Sequence, residues 1–291
     1  MLKDMLDEFL EGLLLSTLET IDSVFNSITG IDSNRLLDTL SGALPSVYNF
    51  ALNVVKTVTG PIGYTILGFC VLVALYETLT KNEEFATGFK TFEVIIITLV
   101  SFVVLKVVLD NAGEIMSYTF SLFHQVTLGI NGVPISASAG GSVDWVTSTM
   151  DYVEAEGMAG PFLIVAVIAL VVTFAAALFS QVMILVRFIE LYVMLALAPL
   201  PLATLASPHL SGIGKNFLKS FIACILQAAV ILLVVRFFPV MLSDMPSTMS
   251  HMTGGGAPPL LAFAPPIIYS VVMIAAIGAS SALARKVVGL G

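Results

Sequence analysis

The chain has 291 residues, 57% of them hydrophobic and only 11% charged, with a mean hydropathy of +1.00. A soluble domain carries about 25% charged residues, so a soluble fold is excluded, and continuous rather than alternating apolar runs argue against an outer-membrane barrel. A net charge of −8 and a pI near 4.8 argue against nucleic-acid binding through a basic surface; nucleic acid handled here would have to pass through a pore.

Residues 1–28 read as an amphipathic helix, with Leu2, Leu6, Phe9, Leu13 and Leu14 at spacings of three and four. Asp4, Asp7, Glu8 and Glu11 lie away from that stripe, and no basic region precedes an apolar one, so it does not read as a signal peptide. An acidic polar face gives anionic lipid nothing to attract, so protein is the expected neighbour. Gly30 and the Asp32-Ser33-Asn34 cluster predict a turn and cap before a second amphipathic segment, 34–58. Its apolar side is Leu36, Leu37, Leu40, Leu44, Val47 and Tyr48.

Gly60-Pro61 opens the first apolar span, about 62–79, since proline suits a first helical turn. The second span covers about 92–109, with Lys106 near its far end. Residues 110–160 are polar and carry no Lys or Arg; they read as an extracytoplasmic loop, irregular around Gly129–Gly141. Trp145, the single tryptophan, is a candidate contact residue of that loop. From Pro161 to Ala206 the chain runs 46 residues with two charges, Arg187 and Glu190, and ends in Pro199-Leu-Pro201. A short loop with His209, Lys215 and Lys219 leads to a span at about 218–242 containing Gln227 and Arg236. A Gly- and Pro-rich loop, 243–266, precedes the last span, about 267–284, and Arg285-Lys286 follow it.

Cytoplasmic loops collect Lys and Arg. Lys81 and Lys90, Lys215 and Lys219, and Arg285 and Lys286 therefore mark the inside, while 110–160 and 243–266 read as outside. The alternation works only if 161–206 crosses once. The expected fold is an all-α integral membrane protein of the plasma membrane with about five spans (62–79, 92–109, 161–198, 218–242, 267–284), N-terminus outside and C-terminus in the cytoplasm. Residues 1–59 form an extracytoplasmic amphipathic segment and 60–291 the membrane domain. A 38-residue third helix would be about 57 Å long against a hydrocarbon core of about 30 Å. Residues 191–206 must then extend below the membrane or re-enter at Pro199-Leu-Pro201. Either form needs protein cover, which points to an oligomer or partner subunits.

Arg187 and Glu190 are three apart, within side-chain reach on a helix, and read as a self-neutralising pair at the inner interface or a pore-facing or inter-subunit pair. Lys106 and Arg236, near span ends, can snorkel to headgroups. Gln181 and Gln227 are mid-span amides suited to hydrogen bonds between helices, or to a transport site. Cys70 and Cys224 read as small buried hydrophobes. His124, His209 and His251 are scattered, and no Walker, metal or nucleophile–base pattern is present, so no catalytic residue, metal or cofactor is expected.

The layout resembles the polytopic inner-membrane channel subunit of type IV secretion and conjugation machines, the TrbL/VirB-six-like family. The segment Arg187-Phe-Ile-Glu190-Leu-Tyr-Val-Met-Leu-Ala-Leu-Ala-Pro199-Leu-Pro201 carries most of the likeness, with Ser211-Gly-Ile-Gly-Lys215 after it. The resemblance implies a non-enzymatic subunit that oligomerises around a pore and works with other transfer-machine subunits, ATPases among them. Its transient substrate would be single-stranded DNA with attached relaxase, or protein. Two other readings use the same residues: a small secondary transporter or ion channel built on Gln181, Gln227, Arg187 and Glu190, and a structural scaffold of a membrane export complex.

Overall fold

The computed structural model describes residues 2–81, 88–134, 146–147, 149–151, 153, 159–207, 209–243 and 264–290. Among them there is no strand. The helices are α1 (Leu2–Leu36), α2 (Leu40–Ala43), α3 (Pro45–Val54), α4 (Gly60–Lys81), α5 (Gly88–Asp110) and α6 (Ala112–Gly132). They continue as α7 (Ala159–Leu197), α8 (Pro199–Ala203), α9 (Ser211–Ser243) and α10 (Ala264–Val287). A π-helical turn, Val55–Thr59, joins α3 to α4, and a 3-10 turn, Thr204–Ala206, follows α8. Among the described residues four helical stretches are long and apolar enough to cross a bilayer: Pro45–Glu77, Gly160–Leu197, Ser211–Phe237 and Ala264–Val287. A fifth is gained if the pair Ile96–Asp110 and Ala112–Gly132, bent by 72°, counts as one broken span. The protein is an all-α polytopic membrane protein with four or five candidate spans, of which Gly160–Leu197 is 38 residues long.

The chain forms two compact units. One comprises Met1–Leu37, Thr127–Leu185 and Ala228–Ser280. In it α1 runs unbroken through Gly30 and Asp32-Ser33-Asn34, so the expected turn there is absent and the break falls after Leu36. A helical glycine costs only about 1 kcal/mol. That is outweighed by full burial of Leu14, Leu18, Ile21 and Phe25, each side chain contributing about 1.5–3 kcal/mol. The buried stripe starts later than the periodicity indicates: Phe9 and Leu13 are exposed. Between α7 and α10 the Thr173 and Ser270 hydroxyls meet at 3.1 Å; one donates to the other, which donates in turn to the carbonyl one turn back in its own helix.

The other unit comprises Asp38–Val126, Val186–Gln227 and Ser281–Gly291. Gly60-Pro61 does not start its first long helix, because helix runs continuously from Pro45 to Glu77. Inside a helix, proline removes one hydrogen bond and its ring crowds the carbonyl four residues back. The π-turn widens the backbone just before Pro61, and the Gly60 N–H reaches back to the Val55 carbonyl. A side chain at Gly60 would sit 2.6 Å from that carbonyl oxygen, which explains the glycine.

The region beyond 110, expected as loop, is helical up to Gly132. Its buried positions, Ala112, Met116, Phe120, His124 and Thr127, recur at helical spacing among polar neighbours. Asn111 sets the bend before it: its side-chain amide donates to the Val107 carbonyl at 2.9 Å, where its own backbone N–H also bonds at 3.2 Å.

Candidate functional site: the junction at the end of the long helix

The last three turns of α7, the kink after it and the start of α9 carry the motif residues. All lie in the unit that begins at Asp38. Arg187 is 1% exposed and Glu190 is exposed. The expected self-neutralising pair is not formed among the described residues. The Arg187 Nε donates to the Cys224 carbonyl of α9 at 3.2 Å, and its guanidinium lies 5.0 Å from the centre of the Phe188 ring. Both terminal nitrogens of the fork are buried without a hydrogen-bond partner among the described residues. Glu190 instead faces Cys224, whose Sγ lies 3.7 Å from its Oε2. Both line a notch of about 30 Å³, room for one water, with Ser220, Gln227 and Arg285.

Tyr192, one turn below Phe188, is 2% exposed. Its hydroxyl donates to the Leu40 carbonyl at 2.9 Å and accepts the Leu44 N–H at 3.1 Å, closing the break between α2 and α3. Tyr48 meets its ring edge-on at 6.5 Å and hydrogen-bonds Ser117 of α6 at 3.1 Å. Sequence reasoning passed over Tyr192, and the available signal was a lone phenol in an apolar run, which needs a partner when buried.

Pro199 and Pro201 remove donors that would continue α7. Chain ends of this kind leave carbonyls unpaired. Here the Ala198 N–H takes the Leu195 carbonyl in a tighter turn, and the Thr59 hydroxyl takes the Ala196 carbonyl at 2.7 Å. Pro199 is buried, and a Cβ at Gly63 would lie 3.1 Å from it and 3.2 Å from Leu109. Leu191, Leu195, Ala198, Leu202 and Ala203 are buried in the same way. One side of the α7 end is therefore covered by α2 to α5 of its own chain, while Ile189, Val193 and Leu197 on the same stretch stay exposed.

The other candidates are dispersed. Lys106 is exposed, Gln181 is half-buried and Gln227 is 4% exposed. Arg236, expected to snorkel, instead binds the end of α6. It donates to the Ile130 carbonyl at 2.9 Å, to those of Asn131 and Val133 at 2.5 Å, and to the Asn131 side chain at 3.0 Å. A helix end offers unpaired carbonyls, and a planar fork meets several at once. Trp145 lies outside the described residues. Cys70 and Cys224 are buried free thiols, and among the described residues no cluster could hold a metal ion.

No curated protein and no solved structure matches the chain. One family model matches, described as TrbL/VirB6 plasmid conjugal transfer like protein, over residues 26–199. The match takes in α3 to α6, the whole of α7 and the Arg187–Pro199 segment, and stops before Ser211-Gly-Ile-Gly-Lys215. Because it covers well over half of the sequence, the chain belongs to the TrbL/VirB6 plasmid conjugal transfer-like family.

Proposed function

We propose that this protein is a non-enzymatic channel subunit of a conjugative transfer or type IV secretion machine, helping single-stranded DNA with its relaxase, or protein, across the plasma membrane. The observation that carries the reading is the family match ending on the α7 junction. In this reading several copies surround a pore, and separate ATPases supply the energy. The oligomer rests on the family resemblance, and the buried side of the α7 end is covered by its own chain.

Deleting the gene from its conjugative element should reduce transfer to background, with recovery when the intact gene is supplied in trans. Crosslinking in cells should join the protein to other transfer subunits. Undiminished transfer after deletion would overturn the reading.

For orientation, the Lys and Arg count supports an outside N-terminus and a cytoplasmic C-terminus. One contact favours a different placement of the α4–α5 hairpin. Gly63 and Leu109, outer ends in that count, lie against Pro199, an inner end. A hairpin entering from the cytoplasmic face brings all three to one side, at the expense of moving Lys81 and Lys90 across.

A further inference from the structure

A cavity of about 470 Å³ lies where α3, the π-turn and the α5–α6 bend meet. Tyr48, Lys56, Asp110, Glu114 and Tyr118 give it a polar wall, and Leu52 an apolar one. Two backbone irregularities border it, the π-turn from Val55 and the 72° bend at Asn111. Single π-turns are rare and recur at functional sites. The charges do not cancel one another: among the described residues neither Lys56 nor Glu114 forms an ion pair, and Asp110 accepts the Tyr64 hydroxyl.

The apolar run of α5, from Val94 to Leu109 with Lys106 as its one charge, stops at Asp110. The cavity thus opens where hydrocarbon-compatible surface gives way to charge, with Tyr48 and Tyr118 in its wall and Tyr64 bonded to its Asp110, as at a membrane–water interface. We propose that it binds the zwitterionic headgroup of an aminophospholipid, with the phosphate on Lys56 and the ammonium between Asp110 and Glu114. An anionic headgroup would meet one cation and two carboxylates, and a bare cation would meet Lys56. A headgroup with both charges answers both. An ethanolamine ammonium also carries N–H donors for the carboxylates, which a choline group lacks.

The test is native mass spectrometry of the full-length protein released from nanodiscs of equal phosphatidylethanolamine, phosphatidylcholine and phosphatidylglycerol. Retained lipid should be enriched in phosphatidylethanolamine. Lys56→Gln and Glu114→Gln should each cut the enrichment about tenfold, the loss of one charge-assisted hydrogen bond. Lys106→Gln, which does not line the cavity, should leave it intact. Displacement by soluble phosphoethanolamine would show that the headgroup alone supplies the recognition; no displacement would assign it to the whole lipid. Equal retention of phosphatidylethanolamine and phosphatidylglycerol by the unmodified protein would overturn the proposal, and so would a preference that survives both substitutions.

Discussion

Among the described residues Arg187 heads the largest fully buried side chains, and it is a cation. Burying a charged group costs several kcal/mol unless charges and hydrogen bonds answer it. Here one carbonyl and one aromatic ring answer Nε and the guanidinium face, and the fork nitrogens have no partner among the described residues. Replacing such a charge by an apolar side chain of similar volume is often neutral or stabilising. Arg187→Met is therefore expected to leave the melting temperature of the detergent-solubilised protein unchanged or raised. If the charge is kept for function, transfer frequency should still fall about tenfold, the effect of losing about 1.4 kcal/mol. A melting temperature lowered in step with transfer would make the arginine a structural residue only. The sequence singled out Arg187 and Glu190 from their isolation in an apolar run. It did not reveal that each meets Cys224 of α9 rather than the other, because a spacing of three permits contact without requiring it.

Helices were legible as elements because long apolar runs leave little else for a backbone to do in lipid. Their ends were less legible, since each is decided by contacts from elsewhere in the chain. Gly60-Pro61 looks like a start, yet a π-turn carries the helix through it. The stretch after Asp110 looks like loop by charge, although Ala112, Met116, Phe120, His124 and Thr127 already showed helical periodicity in the sequence. The kink after α7 is testable at Ser211-Gly-Ile-Gly-Lys215. A Cβ at Gly214 would fall 2.7 Å from the Leu205 side chain and from the Pro201 carbonyl oxygen. That carbonyl belongs to the backbone and cannot swing away. Gly214→Ala is expected to destabilise the protein by about 1–3 kcal/mol, read as a lowered melting temperature. Gly212 has nothing within 4 Å of its would-be Cβ, so Gly212→Ala should be neutral or slightly stabilising. Equal effects at the two positions would mean the close approach of α8 to α9 is not maintained in the membrane.

For the whole molecule, single cysteines at Asn111 and Ser211 in a protein lacking Cys70 and Cys224 report the placement of the hairpin. The Lys and Arg count expects impermeant maleimide to label Asn111→Cys in intact cells and to miss Ser211→Cys. Protection of both would instead place the ends of α4 and α5 on the cytoplasmic side with Pro199. Labelling of Ser211→Cys would overturn the single crossing of α7 and turn the C-terminus outward.

The sequence by itself determined a helical membrane protein, an over-long third span and the family motif around Arg187 to Pro201. Hydropathy is summed along the chain, so lipid selects those features without reference to tertiary contacts. Only the tertiary structure decided what covers the end of α7, which way Arg187 faces and why Arg236 stays at the tip of α6. Each depends on a partner distant in sequence: Leu40, Thr59 and Gly63 for the α7 end, Cys224 for Arg187, and Ile130 to Val133 for Arg236. Unpaired carbonyls and buried polar groups take whichever donor the fold brings near, and that choice is not encoded in local spacing.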